Sequence, residues 1–270
     1  MDRGAPATSD RIRQVVVAVL SIAQAVVTTV TGTRIREQVD GGQGSPVEPA
    51  AWAFAIWGLI FALCIGYGVW QARPSAATAS LLRRVGWPTA GAFLTIVGWS
   101  LVVPLGLFWL AQLVLLATWA FLAVAAFRLA DEAVRRPISA AEQWFVALPL
   151  APFFGWVTAA NGVSLHGQAI DFGVVGPEGL ASRLLGATLL LAAGAVAAYI
   201  VVRTRVGPPL FWGIYAATIG WAIVGIVVAQ WGVEPLIVAA AVVAAVPTMV
   251  AVVRVVSLPQ LPSAPDPGAA

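Results

Sequence analysis

The sequence predicts an all-α membrane protein, a polytopic transmembrane helical bundle of about eight spans. Of its 270 residues, 60% are hydrophobic and only 10% are charged, and the mean hydropathy of +0.90 is far above that of a soluble core. Long intervals of the chain carry no charge and are long enough to cross a bilayer. The chain also contains 12 tryptophans, a residue that is enriched at membrane interfaces.

The charge-free intervals mark the individual spans, because a charged residue at the centre of a membrane helix costs roughly 2.5 to 3.5 kcal/mol. The interval 85–127 is about twice as long as a bilayer is thick at ~1.5 Å per residue, so it must form a hairpin, with its turn at Pro104 and Gly106. Pro149 and Pro152 predict a kink in the fifth span. The predicted spans are 14–33, 49–72, 85–103, 107–130, 143–165, 183–202, 208–229 and 235–253.

The first span has a second interpretation as the core of a signal peptide, with small residues for cleavage at Ala23 and Ala25. The apolar run continues past Ala25 to Val30, which favours a retained helix. At the other end of the chain, residues 257–270 are rich in proline and are predicted to be disordered.

The arginines predict the orientation of the spans. All fifteen basic residues are arginines, and with eight spans only Arg34, Arg36 and Arg183 fall on the side opposite the termini. Twelve against three is a strong positive-inside bias, so both termini are expected in the cytoplasm. The absence of lysine is typical of high-GC coding, which suggests a bacterial cytoplasmic membrane.

The sequence offers little for catalysis or metal binding. Cys64 is the single cysteine and His166 the single histidine, so no zinc cluster is expected, and His166 reads as a loop or interface residue. No Asp, Glu, Arg or His lies mid-span, which argues against a proton- or sodium-coupled transporter. We therefore predict no catalytic residues, no metal site and no nucleic-acid partner.

The second span carries an aromatic stripe. Phe54, Trp57 and Phe61 share one helical face at spacings of three and four residues. Trp57 and Trp156 lie deep in their predicted spans, as do Trp119 and Trp221, with Trp99 at intermediate depth. The few polar residues at depth are Gln24, Ser100, Gln112, Thr158 and Asn161. Such deep aromatic residues either pack between helices or line a ligand cavity.

Taken together, these motifs resemble the TspO/MBR family, also called translocator proteins or tryptophan-rich sensory proteins. The family's second helix opens with a proline, tryptophan and phenylalanine cluster, its third helix carries a Trp-Ser pair, and its fifth carries a Pro-aromatic-x-x-Trp signature. The matching residues are Pro49, Trp52, Phe54, Trp57 and Phe61, then Trp99 and Ser100, then Pro152, Phe153 and Trp156. The resemblance covers residues 12–166 and divides the chain into a five-helix core at 1–166, three additional helices at 167–256 and the tail at 257–270.

The resemblance implies an internal pocket for a hydrophobic molecule such as a porphyrin or a sterol, opening near the loop between the first two helices. A porphyrin or haem there would be a ligand rather than a cofactor, and Arg34 or Arg36 would be either paired with its carboxylates or simply solvated. The candidate ligand-binding residues are Trp52, Phe54, Trp57, Phe61, Trp99, Trp156 and Asn161. The expected role is that of a sensor or transporter in contact with membrane lipid.

Two alternatives stay open. A membrane enzyme acting on a lipid or tetrapyrrole would have only His166, Asp171 and Asn161 for acid-base chemistry. A purely structural bundle would use its aromatic residues for packing, and small residues of the sixth span, Gly186, Gly194 and Ala198, would mediate helix contacts or a homodimer.

Overall fold

The computed structural model describes residues 6–40 and 44–257, and of residues 36–40 it describes the main chain only. Within these ranges the chain is all-α and contains eight helices long and apolar enough to cross a membrane, as predicted. The disorder expected for 257–270 concerns residues that, apart from Ser257, lie outside the described part. The helices are α1 (Thr8–Asp40), α2 (Ala51–Gln71), α3 (Ser80–Leu105), α4 (Phe108–Arg135), α5 (Ala140–Asp171), α6 (Leu180–Thr204), α7 (Pro209–Gln230) and α8 (Pro235–Ser257).

The predicted hairpin between the third and fourth spans is confirmed. α3 tightens into a 3-10 turn at Val103–Leu105, where Pro104 lacks the amide hydrogen that would extend the α-helix. Gly106 follows with φ of 69°, a left-handed conformation that glycine adopts without steric cost. The turn lets α4 pack back along α3.

Helix α5 is the central element of the bundle, with 72% of its membrane window buried against 17% for α1. Ser139 and Glu142 form a capping box at its start. The helix then widens into a π-turn at Gln143–Ala147, directly before Pro149. Since proline cannot donate to the carbonyl one turn earlier, a widened turn at this point relieves the clash with its ring.

The first five helices form a ring and the last three form a group beside it. Around the ring, α1 packs on α2 and α3, α3 on α4, α4 on α5, and α5 on α2. The second group contains α6, α7 and α8, with α6 and α8 in particularly extensive contact, and it packs against the ring mainly through α5. The division of the chain into a five-helix core and three additional helices stays a prediction.

The end of the bundle where α1 begins is fixed by ion pairs, and we call it the arginine-rich end. Asp10 pairs with Arg13 at 3.0 Å and with Arg83 of α3. Arg136, in the connection before α5, pairs with Glu142 at 2.6 Å, and the pKa of Arg136 is raised because its hydrogen bonds to this carboxylate favour the charged form. The opposite end, which carries residues 44–50, is called the loop end.

Candidate ligand site

Five aromatic side chains meet between α2 and α5, and we call them the aromatic cluster: Phe54, Trp57 and Phe61 of α2, with Phe153 and Trp156 of α5. Trp57 stacks on Phe61 at a centroid distance of 5.3 Å. It also meets Phe153 at 6.1 Å and Trp156 at 6.4 Å, both edge to face. Phe54 meets Trp156 at 5.5 Å. The predicted stripe of α2 and the proline-aromatic motif of α5 thus form one continuous set of rings.

The aromatic cluster extends from the surface of the bundle to its interior. Phe54 is 38% exposed, whereas Trp156 is 3% exposed and Phe153 fully buried. Trp57 lies between them and is half-buried. A ring system that entered beside Phe54 from the lipid phase would therefore meet aromatic faces and edges along its whole path.

The chain of rings continues through α3 toward the arginine-rich end. Phe153 stacks on Phe93 at 6.2 Å, and Phe93 meets Tyr67 edge to face at 6.3 Å. Phe93 and Tyr67 are both buried. The interior of the five-helix ring is thus aromatic from the aromatic cluster to Tyr67.

Three of the predicted site residues lie apart from the aromatic cluster. Trp52 is 43% exposed and packs edge to face on Trp221 of α7 at 4.9 Å. Trp99 is half-buried on α3 and makes no ring contact with any described residue. Asn161 accepts a hydrogen bond from Gln112 of α4 at 3.0 Å and donates one to the Val157 carbonyl at 2.8 Å, so its amide is engaged within the bundle.

A second deep tryptophan, Trp119, has a packing role. Its indole nitrogen donates to the Thr158 hydroxyl at 3.1 Å, and the Tyr215 hydroxyl donates to the same oxygen at 3.2 Å. These bonds join α4, α5 and α7 through one hydroxyl group. For Trp119 the choice between packing and ligand lining is therefore resolved in favour of packing.

The segment that leads into α2 is held by the last three helices, and we call residues 44–55 the docked segment. Its Ala50 amide donates to the Gly225 carbonyl of α7 at 3.0 Å, and its Ala53 carbonyl accepts from the Trp221 indole at 2.9 Å. Val47 is buried among side chains of α6, α7 and α8. The three C-terminal helices therefore position the first turn of α2, which carries Phe54.

His166 ties the docked segment to α5 and α6. The imidazole is fully buried, with Nδ1 2.8 Å from the Ser45 hydroxyl and Nε2 2.9 Å from the Ser182 carbonyl. A carbonyl only accepts, so Nε2 carries the hydrogen that is shared with Ser182. The residue is an interface residue, as predicted. In the described part of the chain, no group of three or more His, Cys, Asp or Glu residues could hold a metal ion.

Sequence reasoning missed the docked segment, since neither Ser45 nor Val47 belongs to a periodic pattern. The only available signal in the sequence was an apolar residue, Val47, inside a polar loop. Of the two arginines considered for carboxylate binding, Arg34 is exposed at the loop end, and the side chain of Arg36 lies outside the described residues. Two surface cavities of about 320 and 300 Å³ lie at the arginine-rich end, away from the aromatic cluster.

Comparison with known proteins supports the resemblance drawn from the motifs. No curated protein and no solved structure shows significant similarity to the chain. A family model described as "TSPO-like protein" matches residues 12–254. This match includes all eight helices, whereas the motifs quoted from the sequence cover only the first five. With the helical ring and its aromatic residues in place, the match shows that this membrane protein belongs to the TSPO-like protein family.

Proposed function

We propose that the chain binds a hydrophobic small molecule with a flat ring system, of the porphyrin or sterol kind, at the aromatic cluster between α2 and α5. The observation that carries the proposal is the continuity of the aromatic cluster from half-exposed Phe54 to buried Trp156. Offset and edge-to-face ring pairs contribute about 0.5 to 1.5 kcal/mol each beyond the burial of area, so several such faces favour a flat ligand.

The proposed route of entry is lateral, from the lipid phase past Phe54 of the docked segment. Hydrogen bonds between this segment and α7, donated by the Ala50 amide and accepted by the Ala53 carbonyl, hold it in place. The last three helices thereby have a supporting role at the proposed entrance. Membrane lipid is then both the surroundings of the protein and the phase from which the ligand partitions.

The proposed role is that of a sensor or transporter rather than an enzyme. Two of the three residues available for acid-base chemistry are engaged in the bundle, since His166 bonds to Ser45 and Ser182, and Asn161 bonds to Gln112. Ligand binding needs only complementary shape and a few polar groups. We place the protein in a bacterial cytoplasmic membrane with both termini in the cytoplasm, on the support of the twelve-to-three distribution of arginines.

The proposal is tested by titrating the purified protein in detergent with protoporphyrin and following tryptophan fluorescence, with correction for inner-filter absorption. The variants are Trp57→Phe and Trp156→Phe, with Trp231→Phe as control because Trp231 is exposed at the loop end. We expect saturable quenching in the wild type and the control and weaker quenching in both cluster variants. Linear quenching that is the same in all four proteins would refute a porphyrin site at the aromatic cluster.

A further inference from the structure

The ends of α6 and α8 enclose one of the two cavities at the arginine-rich end, and we call it the α6–α8 cleft. Its volume is about 320 Å³, and it is lined by Val202 and Arg205 from the end of α6 and by Arg254, Val255 and Ser257 from the end of α8. At ~30 Å³ for each water molecule, this volume corresponds to roughly ten waters. The cleft is therefore large enough for a phosphate group and the glycerol attached to it.

The cleft lies between two parallel helices. Arg183 at the start of α6 donates to Glu234, which directly precedes α8, at 3.0 Å, so both helices run from the loop end to the arginine-rich end. Midway along them, a Cβ on Gly194 would overlap with the Ala244 carbonyl, which shows that the two backbones are in close contact there. About three turns beyond this contact, larger side chains line the cleft between the same two helices.

Arg205 and Arg254 bring two positive charges to this cleft. Both side chains are exposed, and neither forms an ion pair or a hydrogen bond with any residue that the structure describes. The neighbouring Arg203 differs, since it pairs with Asp131 at 3.1 Å. The carbonyl ends of the two helices contribute about −0.5 of a charge each, so the two guanidinium groups leave the cleft positive by about one charge.

The second cavity at this end is built differently. It has a similar volume of about 300 Å³ and also contains two arginines, Arg13 and Arg83. Asp10 lies in its wall and pairs with both of them, so these guanidinium groups already have a carboxylate partner. In the α6–α8 cleft the described residues supply no such partner, which leaves Arg205 and Arg254 available to an anion of another molecule.

The membrane supplies an anion at this position, because lipid head groups lie at the level where membrane helices end. A guanidinium group binds phosphate oxygens through two parallel N–H donors. One turn closer to the membrane interior than the cleft, Tyr199 of α6 and Val250 of α8 are 61% and 43% exposed. Acyl chains attached to a phosphate in the cleft would therefore lie on exposed, largely apolar side chains, a contact that a free phosphate ion lacks.

We propose that the α6–α8 cleft binds a phospholipid with a net negative head group, whose phosphate lies between Arg205 and Arg254. Basic pockets between membrane helices bind anionic head groups in this way. A zwitterionic lipid carries a cation close to its phosphate, and two guanidinium groups would repel that cation. The site lies on the last three helices, outside the aromatic cluster, and does not depend on the function proposed for that cluster.

The test offers the detergent-purified protein equal amounts of dioleoylphosphatidylglycerol and dioleoylphosphatidylcholine, which share their acyl chains and differ in head-group charge. Mass spectrometry of the intact protein counts the molecules of each lipid that it retains. Each basic residue at a membrane surface strengthens anionic lipid binding about fivefold, so we expect the wild type to prefer phosphatidylglycerol about twentyfold. Arg205→Gln and Arg254→Gln should each reduce this preference about fivefold, and the double variant should lose most of it.

The matched control is Arg135→Gln, which removes the same charge from an exposed position at the end of α4, and it should keep the preference. The unfolding midpoints of the Arg205→Gln and Arg254→Gln variants should equal that of the control, because no described residue bonds to either side chain. Equal retention of both lipids by the wild type, or a loss of preference in Arg135→Gln as large as in the cleft variants, would overturn the inference.

Two further results would assign the cleft to another occupant and so overturn the inference. Displacement of phosphatidylglycerol by an excess of inorganic phosphate would show that the site takes a free anion. The chain continues from Ser257 and carries Asp266, so a preference that appears only in Asp266→Asn would show that a carboxylate of the chain itself occupies the cleft.

Discussion

The Ser45 hydroxyl lies 2.8 Å from Nδ1 of His166, so a residue of the docked segment is bonded to the most central helix of the bundle. The other ring nitrogen of His166 bonds to the Ser182 carbonyl at the start of α6. His166 thus joins the docked segment to α5 of the ring and to α6 of the last three helices. The conformation of the docked segment is accordingly set by tertiary contacts rather than by its own sequence.

The Ser45→Ala substitution is expected to lower the free energy of unfolding by about 1 kcal/mol, because one buried hydrogen bond is lost. His166→Phe should cost more, since it leaves both the Ser45 hydroxyl and the Ser182 carbonyl without the imidazole. Thermal unfolding midpoints in detergent measure both effects. Ser75→Ala, at an exposed serine, is the control; a Ser45→Ala midpoint equal to that of the control would show that the bond contributes nothing.

Gly225 of α7 is expected to affect ligand binding without touching the aromatic cluster. A Cβ at this position would lie 2.9 Å from the Cβ of Ala53 and 3.1 Å from that of Pro49. Gly225→Val should therefore push the docked segment away from α7 and displace Phe54, which follows Ala53. We expect a loss of about 1 to 3 kcal/mol in stability from the steric conflict, together with weaker quenching by protoporphyrin.

The control for this substitution is Gly220→Val on the same helix, where a Cβ would have open space around it. Its effect on the quenching curve should be small. If Gly225→Val lowers stability but leaves the quenching curve unchanged, the docked segment does not shape the proposed entrance, and the last three helices have no part in ligand binding.

The helices were predictable from sequence because one physical effect, the cost of burying a charge, determines where they begin and end. Burying a charge in hydrocarbon is so costly that charge-free intervals mark the spans directly, and Pro104 with Gly106 placed the one turn that no charge marks. The aromatic residues themselves, Phe54 to Phe61 with Phe153 and Trp156, could be named from their motifs, but their contact is seen only in the packed structure.

What could not be predicted depends on how distant segments meet. Trp99 and Asn161 were both expected at the ligand site, yet Asn161 bonds to Gln112 of α4, a contact that no spacing in the sequence encodes. The burial of Val47 against Gly186 likewise depends on a helix far away along the chain. Gln24 was visible as a deep polar residue, but only the packed structure places its amide beside the Cys64 thiol of α2.

The buried Arg13 is expected to hold the arginine-rich end together. Its guanidinium donates to the Ala77 carbonyl at 2.7 Å and to Asp10 at 3.0 Å, and its stem packs on Gly86. Arg13→Met removes both bonds and should lower stability by about 2 kcal/mol. The control is Arg11→Met, which removes the same charge from an exposed position of the same helix. Equal unfolding midpoints for the two variants would mean that only the net charge matters at this end.

The packing of Gly194 bears on whether the small residues of α6 contact a helix of the same chain or a second copy. The sequence left open whether the small residues of α6 contact another helix of the same chain or a second copy. A Cβ at Gly194 would overlap with the Ala244 carbonyl of α8, and the Thr248 hydroxyl donates to the Gly194 carbonyl at 3.3 Å. Small residues allow this close approach of two helix backbones, and here both helices belong to one chain.

Gly194→Val is therefore expected to lower the unfolding midpoint markedly, with a cost of about 1 to 3 kcal/mol from overpacking, and to leave the oligomeric state unchanged. Light scattering coupled to size exclusion, at a temperature well below the midpoint, measures the mass of the protein without its detergent. Gly213→Val, at a position with open space, is the control. A Gly194→Val variant with a lower mass than the wild type but an unchanged unfolding midpoint would show instead that this face of α6 joins two copies of the chain.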